Sequence, residues 1–167
     1  MPDPVPVPDP VPVDVFVQSY YDDIWPDQGV HRHDYCPQLA YRLITTYGLV
    51  HFLDIGTGCG ELVRVLNELG AKATGVESSA YAVANAHGNV VLGDMRLLPF
   101  PDNSFDVVFS QGVWGYFPET DIPKAWAECQ RVGKQQYHII DYKSEANVAW
   151  HQYFFYQSEE WWKDQLK

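Results

Sequence analysis

Residues 51–66 constrain the fold more than any other part of the sequence. A short apolar run at residues 51–55 leads into a turn with three glycines, and an apolar helical periodicity begins directly after it. Glycine lets a backbone adopt positive φ and approach a ligand closely, while a helix start presents N–H groups without intrahelical partners. The stretch therefore predicts a strand, a turn and a helix that cradle a ligand. A glycine turn alone is weak evidence, so an ordinary packing turn stays open at this point.

Charge and cysteine content narrow the classes of function. The 167 residues suffice for one domain with a substantial core. There are 11 basic and 22 acidic residues, a net charge of -11, which disfavours nucleic acids and anionic membranes as partners. Cys36, Cys59 and Cys129 form no CxxC pair, so neither a disulfide framework nor a metal site is expected, and a cytoplasmic location fits best. No apolar run approaches the ~18 residues of a membrane-spanning helix.

The first residues differ in composition from the rest. Residues 1–17 are rich in proline and valine and are expected to form a tail, whereas residues 18–167 are expected to form a single domain with its core at 43–141. Alternatively, residues 13–17 add as a strand to an open sheet edge. Residues 19–38 contain Pro26, Gly29 and Pro37, which predict a short helix followed by a loop.

Short apolar runs then alternate with helical periodicity. Strands are predicted at residues 51–55, 72–76, 89–92, 105–109 and 136–140. Helices are predicted at residues 39–47, 62–69, 81–86, 121–131 and 159–166; the capping residues of the last three are Ser78 or Ser79, Asp121 and Ser158. This alternation predicts an α/β fold with an open, doubly wound, mostly parallel sheet of about five strands.

Polar residues stand at the end of each predicted strand. In chain order they are Asp54 with the glycine turn, Glu77, Asp94, Ser110 with Gln111, and Asp141. In open α/β sheets, ligands bind beyond the carboxyl ends of the strands, at the point where the strand order reverses. We therefore expect these side chains to converge on one crevice.

Two acids indicate what this crevice binds. Glu77 comes about twenty residues after the glycine turn, the position from which an acid accepts hydrogen bonds from ribose hydroxyls. Asp94 offers an acceptor for an exocyclic amine, and Met95 offers a thioether to lie on an adenine ring. A solvated carboxylate at Glu77 and a turn-capping role for Asp94 are the alternatives. The G-x-G-x-G spacing and the preceding Asp54 favour a cationic ligand over a dinucleotide, although a nicotinamide-dependent oxidoreductase stays open.

Four motifs follow one another at a characteristic spacing. They are FLDIGTGCG at residues 52–60, GVE at 75–77, GDMRLLPF at 93–100 and DNSFDVV at 102–108. In order and spacing they resemble the motifs of the class I S-adenosylmethionine-dependent methyltransferases, in the branch that acts on small molecules. The resemblance covers about residues 43–140. It implies a Rossmann-like methyltransferase domain with S-adenosyl-L-methionine as its cofactor.

The resemblance also implies which residues hold the cofactor. Asp54 and the glycine turn would hold its methionine part. The residues of that turn are Gly56, Thr57, Gly58 and Gly60. Glu77, with Ser78 beside it, would hold the ribose. Asp94 and Met95 would hold the adenine, and Ser110 and Gln111 would lie beside the sulfonium.

The sequence departs from the family in two places. Residues 131–134 (RVGK) shorten the element before strand five, and the antiparallel hairpin that usually completes the sheet edge is not found after the last predicted helix. Strand five is therefore expected to be an open edge unless the aromatic residues near the C-terminus or a partner cover it. This predicts a homo-oligomer, an edge-covering partner or marginal stability.

The expected reaction is in-line transfer of a methyl group to a small-molecule acceptor, which needs a positioned nucleophile and the exclusion of water. His31, His33 and Tyr116 are weak candidates for a base; the histidines fit better as loop residues bonded to Asp34 or to the carboxylate of the cofactor. Four aromatic residues would either roof the crevice or pack in the core: Trp25, Trp114, Tyr116 and Phe117.

The alternative function is a module of the same fold that binds S-adenosylmethionine or S-adenosylhomocysteine without turnover.

Overall fold

The computed structural model describes residues 25–140 and 157–167, with the side chains of residues 25–35 outside that description. Several predictions from sequence also lie outside the described residues. They concern the tail at residues 1–17, the alternative strand at 13–17, Asp141, and the aromatic residues Trp150, Tyr153, Phe154 and Phe155. The division of the chain at residue 18 therefore stays a prediction.

Strands and helices alternate along the described residues. The strands are β1 His51–Ile55, β2 Lys72–Glu77, β3 Val90–Leu92, β4 Phe105–Gln111 and β5 Gly133–Ile139. The helices are α1 Trp25–Tyr47, α2 Glu61–Glu68, α3 Ala80–Ala84, α4 Ile122–Val132 and α5 Glu159–Gln165, with short 3₁₀ helices at Trp114–Tyr116 and Glu119–Asp121. The strands pair in parallel in the order β3-β2-β1-β4-β5. The predicted fold class is confirmed.

The strand order reverses between β1 and β4. The chain first moves outward from β1 through β2 to β3, then crosses back and adds β4 to the other side of β1. Ile55 pairs in register with Ser110, so the carboxyl ends of β1 and β4 lie level. This reversal is where an open α/β sheet forms its ligand crevice.

Both faces of the sheet are buried, which explains why its strands are apolar at successive positions. Phe52 and Val107 face a core shared with α1 and α2. Leu53 and Val108, the next residues along β1 and β4, pack on the opposite face against α4 and α5. In the part of the chain that the structure describes, no helix combines the length and the apolar character needed to cross a bilayer.

Helix α1 corrects the prediction of a short helix followed by a loop. It runs without interruption through Pro37 to Tyr47. Pro26 falls at the second helical residue, where no intrahelical N–H bond is needed, but Pro37 removes an interior hydrogen bond. The last three turns bury an apolar face against the sheet, and such packing outweighs local propensity. That face consists of Cys36, Leu39, Ala40 and Leu43.

The helix starts test the predicted capping residues. Ser79 Oγ accepts the N–H of Ala82 and Ser158 Oγ accepts the N–H of Trp161, each at 3.2 Å, so these two caps are confirmed. The prediction for Asp121 is wrong, since its side chain makes no capping hydrogen bond. A 3₁₀ helix leaves Asp121 in a helical conformation instead of the extended one that a capping residue needs. Its carboxylate accepts a hydrogen bond from Arg96 Nη1 at 2.7 Å.

Helix α4 passes into β5 without a loop. The helix ends at Val132 and the strand begins at Gly133, earlier than the predicted start at residue 136. A Cβ at position 133 would lie 2.2 Å from Cγ2 of Val108, so a glycine is required for β5 to pass this close to β4. The shortened element noted in the sequence is thus a direct junction between helix and strand.

Candidate cofactor site

The glycine turn folds over the ends of β1 and β2. Gly56, Gly58 and Gly60 have φ values of 67°, 60° and 77°, in the left-handed region that favours glycine. The N–H of Gly56 donates to the carbonyl of Val76 at 2.8 Å, which fastens the turn to β2. A Cβ on Gly56 would lie 2.1 Å from Cγ1 of Val113, so the segment after β4 packs directly on the turn. The turn therefore requires glycine for both its conformation and its contacts.

Glu77 joins the turn to the helix that follows β2. Its side chain is buried at the end of β2, with 8% of the residue exposed. Oε2 accepts the N–H of Gly58 at 3.0 Å, and Oε1 accepts the N–H of Ser79 at 2.9 Å and the hydroxyl of Ser78 at 3.3 Å. A carboxylate has about four acceptor positions, so these bonds orient Glu77 and leave it capacity for a further donor.

A cleft of about 510 Å³, open to solvent, lies beside the turn at the reversal between β1 and β4. Its walls combine apolar side chains of α1, α2 and β4 with two carboxylates and the amide of Gln111. The lining residues are Cys36, Leu39, Asp54, Gly56, Thr57, Cys59, Glu61, Leu62, Phe109 and Gln111. The structure thus brings together the turn, Asp54 and Gln111, as expected from the sequence, and adds Cys36, Leu39 and Glu61.

The two carboxylates of the cleft are held by neighbouring side chains. Asp54 is 5% exposed, and its Oδ2 accepts the hydroxyl of Thr57 at 2.6 Å. Glu61 lies in the first turn of α2 and binds Arg64 through both oxygens, at 2.6 and 3.1 Å. The cleft therefore presents negative charge at fixed positions, which suits a ligand that carries positive charge.

Asp94 has a partner that sequence reasoning missed. Arg96 binds both oxygens of Asp94 through its guanidinium, at distances from 2.6 to 3.1 Å, and its backbone N–H donates to Oδ1 at 2.8 Å. These hydrogen bonds hold the pKa of Asp94 below its usual value. Arg96 also reaches Asp121, so it links the end of β3 to the segment after β4. Met95 is 4% exposed and packs in the core below.

Ser110 and Trp114 point away from the cleft. Ser110 is the penultimate residue of β4, is fully buried, and does not line the cleft, although its neighbour Gln111 does. Trp114 is also fully buried and packs in the core between α4 and α5. Of the four aromatic residues proposed as a roof, Trp114 is therefore a core residue. Phe117 is partly buried, with the guanidinium of Arg96 5.7 Å from its ring centre.

The base candidates lie in two elements beside the sheet. His31 and His33 belong to α1, so the expectation that they lie in a loop is wrong, and their side chains are outside the described residues. Tyr116 ends the 3₁₀ helix after β4 and is partly exposed. Tyr116 does not line the cleft described above.

Within the described part of the chain, the side chains around the cleft suit neither a metal ion nor a nucleophilic thiol at Cys59. Among the side chains that the structure describes, no three of His, Cys, Asp or Glu lie close enough together to hold a metal ion. Cys59 lines the cleft, but burial and the nearby charge of Glu77 raise its pKa, which opposes thiolate formation. Burial raises the pKa of Cys129 to about 12. Nucleophilic catalysis by these two thiols is therefore disfavoured.

Two curated proteins share part of this sequence. A sterol 4-C-methyltransferase of Caenorhabditis elegans is 34% identical over 104 residues, which are 56% of this chain and 30% of that protein. A demethylmenaquinone methyltransferase of Thermotoga maritima is 30% identical over 95 residues, which are 53% of this chain and 41% of that protein. The chain thus spans well under half the length of these curated relatives.

Solved structures and a family definition agree with this similarity. A candidate S-adenosyl-L-methionine-dependent methyltransferase of Methanococcus maripaludis superposes with a TM-score of 0.56 at 25% identity, covering 62% of this chain and 54% of its own. Residues 53–140 match the family described as "Methyltransferase domain", and that match runs from within β1 to the end of β5 and includes the glycine turn and Glu77. S-adenosyl-L-methionine is the cofactor that this family and this fold indicate. The chain belongs to the methyltransferase domain family.

Proposed function

We propose that this chain binds S-adenosyl-L-methionine across the glycine turn and the ends of β2 and β3, and transfers the methyl group to an apolar small molecule. The observation that carries the proposal is the arrangement of Glu77. Its carboxylate is buried at the end of β2 and held by two backbone N–H groups, those of Gly58 and Ser79. An acid fixed in this way is prepared to accept hydroxyl groups of a ribose, with Ser78 beside it.

The cleft beside the turn suits the methionine part of the cofactor. Asp54 and Glu61 supply negative charge, and Leu39, Leu62 and Phe109 supply apolar walls. A ligand with a sulfonium and an ammonium group matches this charge better than a pyrophosphate would. Gly56, Thr57, Gly58 and Gly60 then form the backbone that the ligand approaches.

Asp94 and Met95 are the proposed residues of the adenine region. Within the described residues, the carboxylate of Asp94 accepts four hydrogen bonds from Arg96, so it can give up one of them to an exocyclic amine without losing the ion pair. Gln111, at the end of β4, is the proposed residue beside the sulfonium. Ser110 was predicted beside it from sequence, but its hydroxyl already bonds within the core.

S-adenosyl-L-methionine supplies a methyl group on a positively charged sulfur that is a good leaving group. The protein then has mainly to bind, orient and exclude water. Asp54, Glu61 and Glu77 bind by charge and hydrogen bonding, and Leu39 with Phe109 keeps water from one wall of the cleft. His31, His33 and Tyr116 remain the candidates for a base, for acceptors that need one.

The net charge of the chain and the names of its curated relatives both favour a small apolar acceptor. A net charge of -11 disfavours polyanionic acceptors such as nucleic acid. The two curated relatives are named for methyl transfer to a sterol and to demethylmenaquinone. Both are apolar molecules, which favours an apolar acceptor for this chain.

Cofactor binding is tested by calorimetry with S-adenosylhomocysteine on wild type and on two glutamate variants. Glu77→Ala should lower the affinity by roughly 1.5–3 kcal/mol, since it removes charged hydrogen bonds to the ribose. The matched control is Glu68→Ala, because Glu68 is exposed on α2 and pairs with Arg64. Equal affinities of the two variants would refute the role of Glu77. Displacement of the ligand by NAD would favour the nicotinamide-dependent alternative.

Turnover is tested separately, by transfer of a labelled methyl group to a panel of sterols, quinones and small amines. We expect label on an apolar acceptor. Binding of the cofactor without transfer to any member of the panel would instead support the non-catalytic binding module. Transfer to nucleic acid in place of a small molecule would refute the proposed class of acceptor.

A further inference from the structure

A series of polar side chains, two fully buried and two partly buried, lies behind the cleft, between β4, β5 and the segment after β4. Trp114 Nε1 lies 2.9 Å from Ser110 Oγ, and the same oxygen lies 2.7 Å from His138 Nδ1. His138 Nε2 lies 3.1 Å from Gln136 Oε1, and Gln136 Nε2 reaches the carbonyls of Cys129 and Gly133 at 2.8 and 3.2 Å. We call Trp114, Ser110, His138 and Gln136 the polar series.

The direction of each hydrogen bond follows from the chemistry of the groups. Gln136 uses its amide N–H groups on two carbonyls, so its Oε1 is an acceptor and His138 Nε2 must carry the proton. His138 Nδ1 is then an acceptor, and Ser110 donates to it. Ser110 Oγ in turn accepts the indole N–H of Trp114, which can only donate. Every member therefore has its partner in a single consistent arrangement, with His138 neutral.

The environment of His138 supports the neutral form. Its ring lies edge-on to Trp114 and Trp126, with ring centres 5.2 and 5.5 Å away. Burial lowers its pKa to about 4. The hydrogen bonds fit only the neutral form of His138. A proton on Nδ1 would compete with the hydroxyl proton of Ser110 and leave one donor without an acceptor.

The polar series is attached to the segment that packs on the glycine turn. We call residues 112–117 the roof segment. Its backbone begins with the N–H of Gly112, which donates to the carbonyl of Ile139 at 3.0 Å. Val113 contacts Gly56 of the turn, and Trp114 anchors the segment through its indole. Gln111, immediately before the segment, lines the cleft.

We propose that Ser110, Trp114 and His138 are positioning residues that hold the roof segment against the glycine turn and so fix the reacting end of the cofactor cleft. The proposal rests on the proposed function for its link to the cofactor. None of the three residues lines the cleft, so they act through Val113 and Gln111. Ser110 would therefore not contact the sulfonium, but would support the segment that borders the reacting end of the cleft.

The test compares variants that remove hydrogen bonds of the polar series. Trp114→Phe removes the bond between Trp114 and Ser110, and Ser110→Ala removes that bond together with the bond to His138. The matched control is Trp126→Phe, because Trp126 also packs on His138 but donates its indole N–H to the carbonyl of Lys167. Near-ultraviolet circular dichroism selects the variants that remain folded, and Ser110→Ala serves if Trp114→Phe does not fold.

Two readouts are measured on each variant. The first is hydrogen exchange of the Gly112 amide, which should be about tenfold faster in Ser110→Ala and Trp114→Phe and unchanged in Trp126→Phe. The second is the Kd for S-adenosylhomocysteine, which should rise about fivefold to thirtyfold in the first two variants. The double variant should match Ser110→Ala, since that variant already lacks the bond that Trp114→Phe removes. Nitrogen-15 spectra should show His138 protonated at Nε2 only.

The possible outcomes separate this proposal from the proposed function. If wild type does not bind S-adenosylhomocysteine, the proposed function fails. The hydrogen exchange of the Gly112 amide then decides by itself whether the polar series holds the roof segment. If wild type binds and both variants bind within twofold of it, with Gly112 exchange unchanged, the positioning role is refuted. Equal effects of Trp126→Phe would also refute it, because they would show a general loss of packing.

Discussion

His138 ties the stability of the protein to pH at the scale of one residue. Its pKa of about 4 in the folded protein compares with about 6.5 for an ordinary histidine. Between these values the unfolded chain binds the extra proton, so this contribution to stability is complete above pH 6.5 and declines as the pH falls toward 4. Among the side chains that the structure describes, those in contact with the ring are neutral: Ser110, Trp114, Trp126 and Gln136.

We therefore expect wild type to lose about 2–3 kcal/mol more than His138→Gln between pH 7 and pH 4.5. Urea denaturation at the two pH values measures this difference. Parallel losses in the two proteins would show that the imidazole titrates in the folded state as it does in the unfolded one.

Gly56 combines a left-handed φ with a contact that excludes any side chain. Gly56→Ala should lower the free energy of unfolding by roughly 2–4 kcal/mol, because both the strained φ and the clash with Val113 contribute. Gly48→Ala isolates the first effect, since Gly48 has φ 84° and nothing within 4 Å of a Cβ. We expect a loss of about 1–2 kcal/mol there. Urea denaturation measures the free energy of unfolding of both variants. Similar decreases at the two positions would mean that the side chain of Val113 moves to accommodate the new methyl group.

Sequence reasoning worked at residues whose role depends on neighbours along the chain. The glycine turn and the cap at Ser79 are local features, and the structure has them where the sequence predicts them, while Glu77 is the last residue of β2 instead of the residue after it. The ion pair of Arg96 with Asp121 joins positions that only the tertiary fold brings together. The same holds for the bond between Ser110 and His138, although a histidine in an otherwise apolar stretch of β5 is a visible signal.

At the scale of elements, Arg131 connects α4 to the loop before β4. Its guanidinium donates to the carbonyls of Leu98 and Phe100 at 3.1 and 2.7 Å and pairs with Glu128. Glu128 in turn accepts the N–H of Leu98 at 2.7 Å. Hydrogen bonds from the side chain of Arg131 and from the backbone N–H of Leu98 lower the pKa of Glu128, so the pair stays charged near neutral pH. The family motif that contains Leu98 is therefore held by α4.

We expect Arg131→Met to destabilise the protein by about 1–3 kcal/mol, since two loop carbonyls lose their donor. Arg64→Met is the matched control, because Arg64 forms only ion pairs on the surface of α2, with Glu61 and Glu68. Its removal should cost no more than about 1 kcal/mol. Thermal unfolding of both variants measures the difference. A larger effect at Arg64 would contradict this account of Arg131.

Helix α1 shows why element boundaries were harder to predict than strand order. Pro26, Gly29 and Pro37 each oppose helix formation locally, and the sequence alone favours a loop. The helix continues because its apolar face lies on the sheet, a gain that is set by the packing of distant residues. The five strands needed no such information, since their short apolar runs are bounded by glycine and polar residues.

At the scale of the whole molecule, the net charge of -11 sets the choice of partners. We expect no binding to duplex DNA or to phosphatidylserine vesicles at physiological salt, because the protein repels polyanions over distances near the Debye length. Fluorescence anisotropy and vesicle sedimentation measure these interactions. Binding that weakens steeply with added salt would reveal a basic patch outside the described residues. The predicted association at the edge of β5 stays a prediction, measurable by light scattering.

The direct junction between α4 and β5 leaves no loop residue that could absorb a change in chain length between the two elements. Because successive strand residues face opposite sides of a sheet, the side that His138 faces is set by the point where the helix ends. One residue inserted between Val132 and Gly133 would turn the imidazole to the other side and move Gly133 away from Val108. The junction is thus a position where chain length is as constrained as residue type. Homologous chains that lengthen it must either carry a loop there or lack the polar series altogether.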